Sequence, residues 1–286
     1  MLRFLILLSF YYFVVCYGAV SDIDSNSKDK ESTNNINSNQ TKQALDFEIN
    51  EHKIQELKNL TQIEISQIQV VESINDVWFA TFPAKNLKVG EVGIIIRDLE
   101  SYRVVVADVE IISIDGDLAR AKVVPFSQLK QPYLPTPKLT AQQGDKIIFR
   151  SYNDKAFLIA PDEMTYNLVK EKYQFVNFIS SDLLMGFLNS RGKHDPTKKT
   201  LVAACNEYAV GMVFIVGSDT LAAFGCQNLS LIHESDIVTS GVSPQTPFYT
   251  RVNFEGGGSL TYLFASKKSR KNYFSYYDSI IKAGRN

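Results

Sequence analysis

The sequence predicts an α+β or α/β chain of two domains, a small antiparallel β-barrel followed by an α/β sandwich with a mixed sheet. Three observations carry that expectation. Before Tyr152, short stretches of period-two apolar alternation are separated by glycine turns, with no segment of helical period. After Tyr152, short apolar runs alternate with stretches whose apolar residues recur every three or four positions. With 45% hydrophobic and 21% charged residues over 286 positions, the chain has apolar material and length enough for two cores.

The first residues predict export. Arg3 precedes an apolar run from Phe4 to Cys16, which ends near the small residues Gly18 and Ala19. This is the layout of a signal peptide, residues 1–18, with cleavage after Gly18 or Ala19. The run is shorter than the roughly 20 apolar residues that cross a bilayer. An uncleaved anchor and lipidation at Cys16 are the alternatives, and an uncleaved leader is the only membrane attachment expected. Residues 19–44 are polar and mixed in charge, with Ile23 and Ile36 almost their only large apolar side chains. Such a segment buries too little to offset its ordering entropy, so a flexible linker is expected.

Residues 45–152 are assigned to the barrel. Ile63, Ile65, Ile68, Val70 and Val71 precede Val77, Phe79 and Phe82, mostly in strand alternation, and in Val89-Gly90-Glu91-Val92-Gly93-Ile94-Ile95-Ile96 glycines stand beside a β-branched run. The clearest hairpin joins 103–114 to 118–124 through Asp115-Gly116-Asp117, whose Asp-Gly pair tolerates a tight turn. Pro132, Pro135 and Pro137 then break regular structure before a strand at 147–149.

Residues 153–238 are assigned to the α/β domain. A buried strand at 156–160 stops at Pro161-Asp162, and Met164, Leu168, Val169 and Tyr173 follow at helical spacing. A strand at 175–179 leads to Ser180-Ser181-Asp182, which suits the start of a helix over 183–188. Asp195-Pro196 opens another helix reaching about Tyr208. Strands are expected at 211–216 and 221–225 around Gly217-Ser218-Asp219, and at 228–233. Residues 239–286 are expected to form a hairpin, 249–254 with 260–265 across Gly256-Gly257-Gly258, and a terminal helix over 273–282.

The sequence offers little catalytic chemistry. A net charge of −1 makes no global field for phosphates, so no nucleic-acid partner is expected. Gly186 to Lys193 resembles a phosphate loop, but five residues separate Gly186 from Gly192, and His194 stands where a serine or threonine is needed. His52, His194 and His233 lie in three different segments without zinc-ligand spacing. Asp162-Glu163 and Glu234 with Asp236 read as helix-start and turn residues. No catalytic residue, cofactor or metal is therefore assigned. Without the leader, Cys205 and Cys226 remain, and two thiols in an exported chain suggest one disulfide, from the end of a helix to the end of a strand. Two buried free thiols are the alternative. Lys267, Lys268, Arg270 and Lys271, followed by Tyr273, Phe274, Tyr276 and Tyr277, form the one uneven concentration of charge.

The order of several motifs is informative as a set. Leu87-Lys88-Val89-Gly90-Glu91-Val92-Gly93, Leu129-Lys130-Gln131 through Pro135-Thr136-Pro137-Lys138, Gln143-Gly144-Asp145, Leu158-Ile159-Ala160-Pro161, Cys205-Asn206 through Ala209-Val210-Gly211, and Cys226-Gln227 resemble the N-terminal domain of the plasminogen-binding protein A family. That family comprises exported proteins of Campylobacter- and Helicobacter-type bacteria. The resemblance implies a non-enzymatic envelope or surface protein that captures host plasminogen. Kringle modules, the implied partner surface, hold a lysine ammonium between carboxylates with an aromatic floor under its methylene stem. The chain ends in Ala283-Gly284-Arg285-Asn286, so the candidate ligands are the internal Lys267, Lys268, Lys271 and Lys282. The alternative role is a periplasmic scaffold subunit, for instance of the flagellar motor, with other envelope proteins as partners.

Overall fold

The computed structural model describes residues 51–126, 133, 138–252 and 272–285. These residues belong to one compact unit, Ala44–Asn286. The expected signal peptide and linker, the turn expected at 256–258 with the strand expected at 260–265, and Lys267, Lys268 and Lys271 lie outside the described residues.

Seven strands form a first sheet: β1 (Glu64–Gln67), β2 (Val70–Ile74), β3 (Val77–Pro83), β4 (Val92–Asp98), β5 (Arg103–Asp115), β6 (Leu118–Val124) and β7 (Lys146–Phe149). They pair antiparallel in the order β1-β7-β4-β5-β6-β3-β2. The expected hairpin is present, with Asp115 opposite Leu118 and Gly116 at φ 55°. Alternation turns Ala80, Phe82, Val109, Ile111, Ala119, Ala121, Ile147 and Phe149 into one core. Phe82 and Phe149 fill it, with ring centroids 5.6 Å apart. Gly93 lies flat against the second ring, where an added Cβ would stand 2.8 Å from Phe149 Cδ1.

The closed barrel expected from the sequence is not formed. The sheet ends at β1 and β2, which do not pair with each other. They are successive pieces of one segment that changes partners at Ile68 and Gln69, whose NH groups donate to Asp145 O and Thr81 O. The bend carries the chain from one end of the sheet to the other and leaves β1 and β2 as its edges.

The second sheet contains β8 (Lys155–Ile159), β9 (Asn177–Phe178), β10 (Met212–Val216), β11 (Thr220–Gly225) and β12 (Leu231–Asp236), in the order β12-β11-β10-β8-β9. β8 runs parallel to β9 and β10, while β11 and β12 complete it antiparallel, so the sheet is mixed as expected. Its central strands are buried on both faces. Helices α3 (Ser181–Ser190), α4 (Lys198–Tyr208) and α5 (Tyr273–Gly284) cover Phe157, Ile159, Val213, Ile215 and Phe224. The opposite face, with Ala156, Leu158, Met212 and Phe214, is covered by α2 (Glu163–Lys172).

Two further corrections concern element placement. A helix, α1 (Glu51–Asn59), stands where no helical period was read. Its apolar stripe is short, Ile54, Leu57 and then Leu60, and it packs on the second sheet rather than on the first, which it precedes. β12 begins at Leu231 because residues 228–230 are consumed by a turn. There Leu229 has φ 54°, Asn228 Oδ1 accepts from Ser230 NH at 3.0 Å, and Leu229 NH donates to Gly225 O. Residues 249–252 are not a strand either, and the rest of that expected hairpin lies outside the described residues.

Candidate functional site

In an open α/β sheet the ligand crevice lies beyond the carboxyl ends of neighbouring parallel strands whose next connections leave on opposite faces. Here those strands are β8 and β9, followed by α2 on one face and α3 on the other. Both helix N-termini open onto this point. Asp162 caps α2, accepting from Thr165 NH at 2.8 Å, and Ser180 caps α3, accepting from Asp182 NH at 3.2 Å.

The chain itself fills the crevice with residues 245–251. Gln245 NH donates to Pro161 O at 2.7 Å and Tyr249 NH to Ala160 O at 2.8 Å, directly beyond the end of β8. Tyr249 lies against Tyr166, with ring centroids 5.3 Å apart, and near the Glu163 carboxylate. Burial, with that carboxylate adding to it, raises the Tyr249 pKa. Asp182 Oδ1 accepts from Thr250 Oγ1 at 2.7 Å and from Arg251 NH at 2.8 Å. Its Oδ2 accepts from Arg251 Nε at 3.0 Å and Nη2 at 2.8 Å. Desolvation alone would raise the Asp182 pKa, but the bonds from Thr250, Arg251 and Ser180 outweigh it and hold the carboxyl at about 2. An anion is favoured at a helix N-terminus, and here the protein supplies its own.

Three tyrosines hold α5 over the same sheet. Tyr273 OH donates to Val216 O at 3.2 Å, Tyr276 OH to Pro196 O at 2.7 Å and Tyr277 OH to Pro247 O at 2.7 Å. Burial raises all three pKa values, that of Tyr276 to about 12, so each hydroxyl keeps its proton and remains a donor.

Comparison with known proteins places this fold. The profile described as "Plasminogen-binding protein pgbA N-terminal" matches residues 63–281. The chain belongs to this family. Two relatives, each named "Plasminogen-binding protein PgbA" and from Helicobacter pylori strains J99 and 26695, are 42% identical to it over 202 residues. The match covers 70% of this chain and 44% of each relative, so the chain spans less than half the length of the relatives it matches. Both are named as binding proteins, not enzymes. No solved structure matches the chain.

In this member of the PgbA N-terminal family, Cys205 and Cys226 form the expected disulfide, with Cα atoms 5.8 Å apart, from the last turn of α4 to the residue after β11. Of the candidate lysines only Lys282 is described. It is exposed in the last turn of α5, beside Arg285, which is engaged by Glu234 at 2.6 Å. The phosphate-loop look-alike is part of a helix, since Gly186 lies within α3. The histidines are dispersed: His52 is exposed on α1, buried His194 faces Asp195 at 2.9 Å, and buried His233 lies on β12. Among the described residues no group of three His, Cys, Asp or Glu side chains could hold a metal ion. Asp162 and Glu163 serve α2 and Tyr249, while Glu234 binds Arg285. Reading 180–182 only as a helix start missed the partnership of Asp182 with Arg251. The acidic residue at the helix start was the only local signal for it.

Proposed function

We propose that this protein is an exported binding protein that captures plasminogen at the bacterial surface through exposed lysines. The observation that carries the reading is the 42% identity over 202 residues to two proteins named for plasminogen binding. Two structural features support it. The crevice where an α/β sheet ordinarily takes a substrate is occupied by residues 245–251. Lys282 stands exposed with no ion-pair partner among the described residues, available to a carboxylate-lined pocket. Lys267, Lys268 and Lys271 complete the proposed lysine set.

Surface plasmon resonance of the mature chain against plasminogen tests the mechanism. Binding is expected to be competed by a free lysine analogue and weakened when the four lysines are replaced by methionine. Binding indifferent to the analogue would reject lysine capture. Protease treatment of intact cells tests the location, with the protein expected to be cleaved. Protection until the outer membrane is breached would favour an envelope scaffold instead.

A further inference from the structure

Between the first turn of α4 and the last turns of α5 lies a cavity of about 230 Å³. Ile215, Phe224, Leu229, Ile280 and Ala283 give it apolar walls, and Lys198 is its one charged lining residue. Lys198 is the exposed first residue of α4 and has no ion-pair partner among the described residues. The hydroxyl of Ser279, which also lines the space, donates within its own helix to Tyr276 O at 2.6 Å. Gly284 brings the end of α5 flush onto Phe224, where any Cβ would collide with the ring. The cavity is thus bounded by packed side chains at its base and by a cation at α4.

We propose that this cavity binds a medium-chain monocarboxylate, its tail on the apolar walls and its head group on Lys198. The size fits. An apolar cavity of roughly 150 Å³ holds benzene, and at about 30 Å³ per heavy atom, the share of a water in the liquid, roughly eight heavy atoms fill this one, enough for the hydrocarbon tail of an octanoate whose carboxylate stands outside at the exposed Lys198. The charge also fits, because the ammonium stands at a helix N-terminus, whose partial positive charge adds to its own. A neutral alcohol would leave the cation unanswered, and an amine would be repelled.

Titrating the full chain with octanoate, 1-octanol and octylamine, followed by amide NMR shifts, tests this. Octanoate is expected to bind saturably, shifting residues of α4 and α5, with octanol weaker by about tenfold, the worth of one charge-assisted hydrogen bond. Octylamine is expected not to bind. Ala283→Phe, which fills the space, should abolish binding. Exposed Lys198→Glu leaves the packing untouched and should invert the preference from octanoate to octylamine. Absence of saturable octanoate binding, equal affinity for octanol and octanoate, or binding unaltered in either variant would overturn the proposal.

Discussion

Asp182 accepts four hydrogen bonds from two consecutive residues, Thr250 and Arg251, that lie nearly 70 positions later in the chain. Because its pKa is about 2 when folded and 3.8 when free, the folded protein takes up this proton less readily than the unfolded chain. The stabilisation is complete above pH 3.8 and is lost as the pH falls through about 2. Asp182→Asn is expected to lose about 1–2 kcal/mol at neutral pH, a modest value because Arg251 is 70% exposed. Urea unfolding at pH 7, 4 and 2.5 should show the variant's deficit shrinking with acidity. His233 behaves oppositely in origin but similarly in sign. It is 5% exposed, and among the described residues neither ring nitrogen has a hydrogen-bond partner, Glu56 Oε2 standing 3.8 Å from Nδ1. Burial lowers its pKa below 6.5, with Lys53 and Lys88 adding to the effect and Glu56 and Glu234 opposing it. The unfolded chain therefore protonates first, and stability falls as the pH drops through 6.5, levelling below the folded pKa. His233→Leu should flatten this fall between pH 7 and 5 in the same unfolding measurement.

At the scale of elements, the disulfide and α1 do similar work from different ends. The bridge closes an interval of 21 positions between α4 and β11. On loop entropy, replacing both cysteines by alanine should cost about 3 kcal/mol in denaturant unfolding, and reduction of the native protein should lower its midpoint equally. α1 has no covalent staple, so Leu57 and Leu60 hold it through burial on the second sheet. Its Glu56 faces His233 of β12 and Lys88 of the loop before β4, so the helix links the second sheet to a loop of the first.

On the scale of the whole molecule, several polar contacts join the two sheets. Asn228 Nδ2 donates to Gly90 O and to Glu110 Oε1, each at 2.9 Å, and Ser230 Oγ donates to Gly90 O at 3.4 Å. Arg150, directly after β7, and Glu91, directly before β4, form a nearly buried pair at 3.0 Å that fixes the end of the first sheet from which the chain enters β8. These ties predict one cooperative unfolding transition. The single tryptophan, Trp78, reports on the first sheet, so its fluorescence and the far-ultraviolet signal should change at the same denaturant concentration. Two separated midpoints would contradict this.

Most strands and the helices α2 to α5 were legible because period-two and helical spacings, Asp115-Gly116-Asp117, and the cap residues Asp162 and Ser180 act over a few neighbouring positions. The pairing of Cys205 with Cys226 was legible because only two cysteines lie beyond the segment that the sequence predicts to be a leader. Only the tertiary structure decided that β1 and β2 are edges of an unclosed sheet, that α1 belongs to the second core, and that residues 245–251 fill the crevice beyond β8. Each of those outcomes depends on contacts between residues far apart in the chain. A spacing pattern records which side chains turn the same way, whereas the surface they meet is set by the path of the whole backbone.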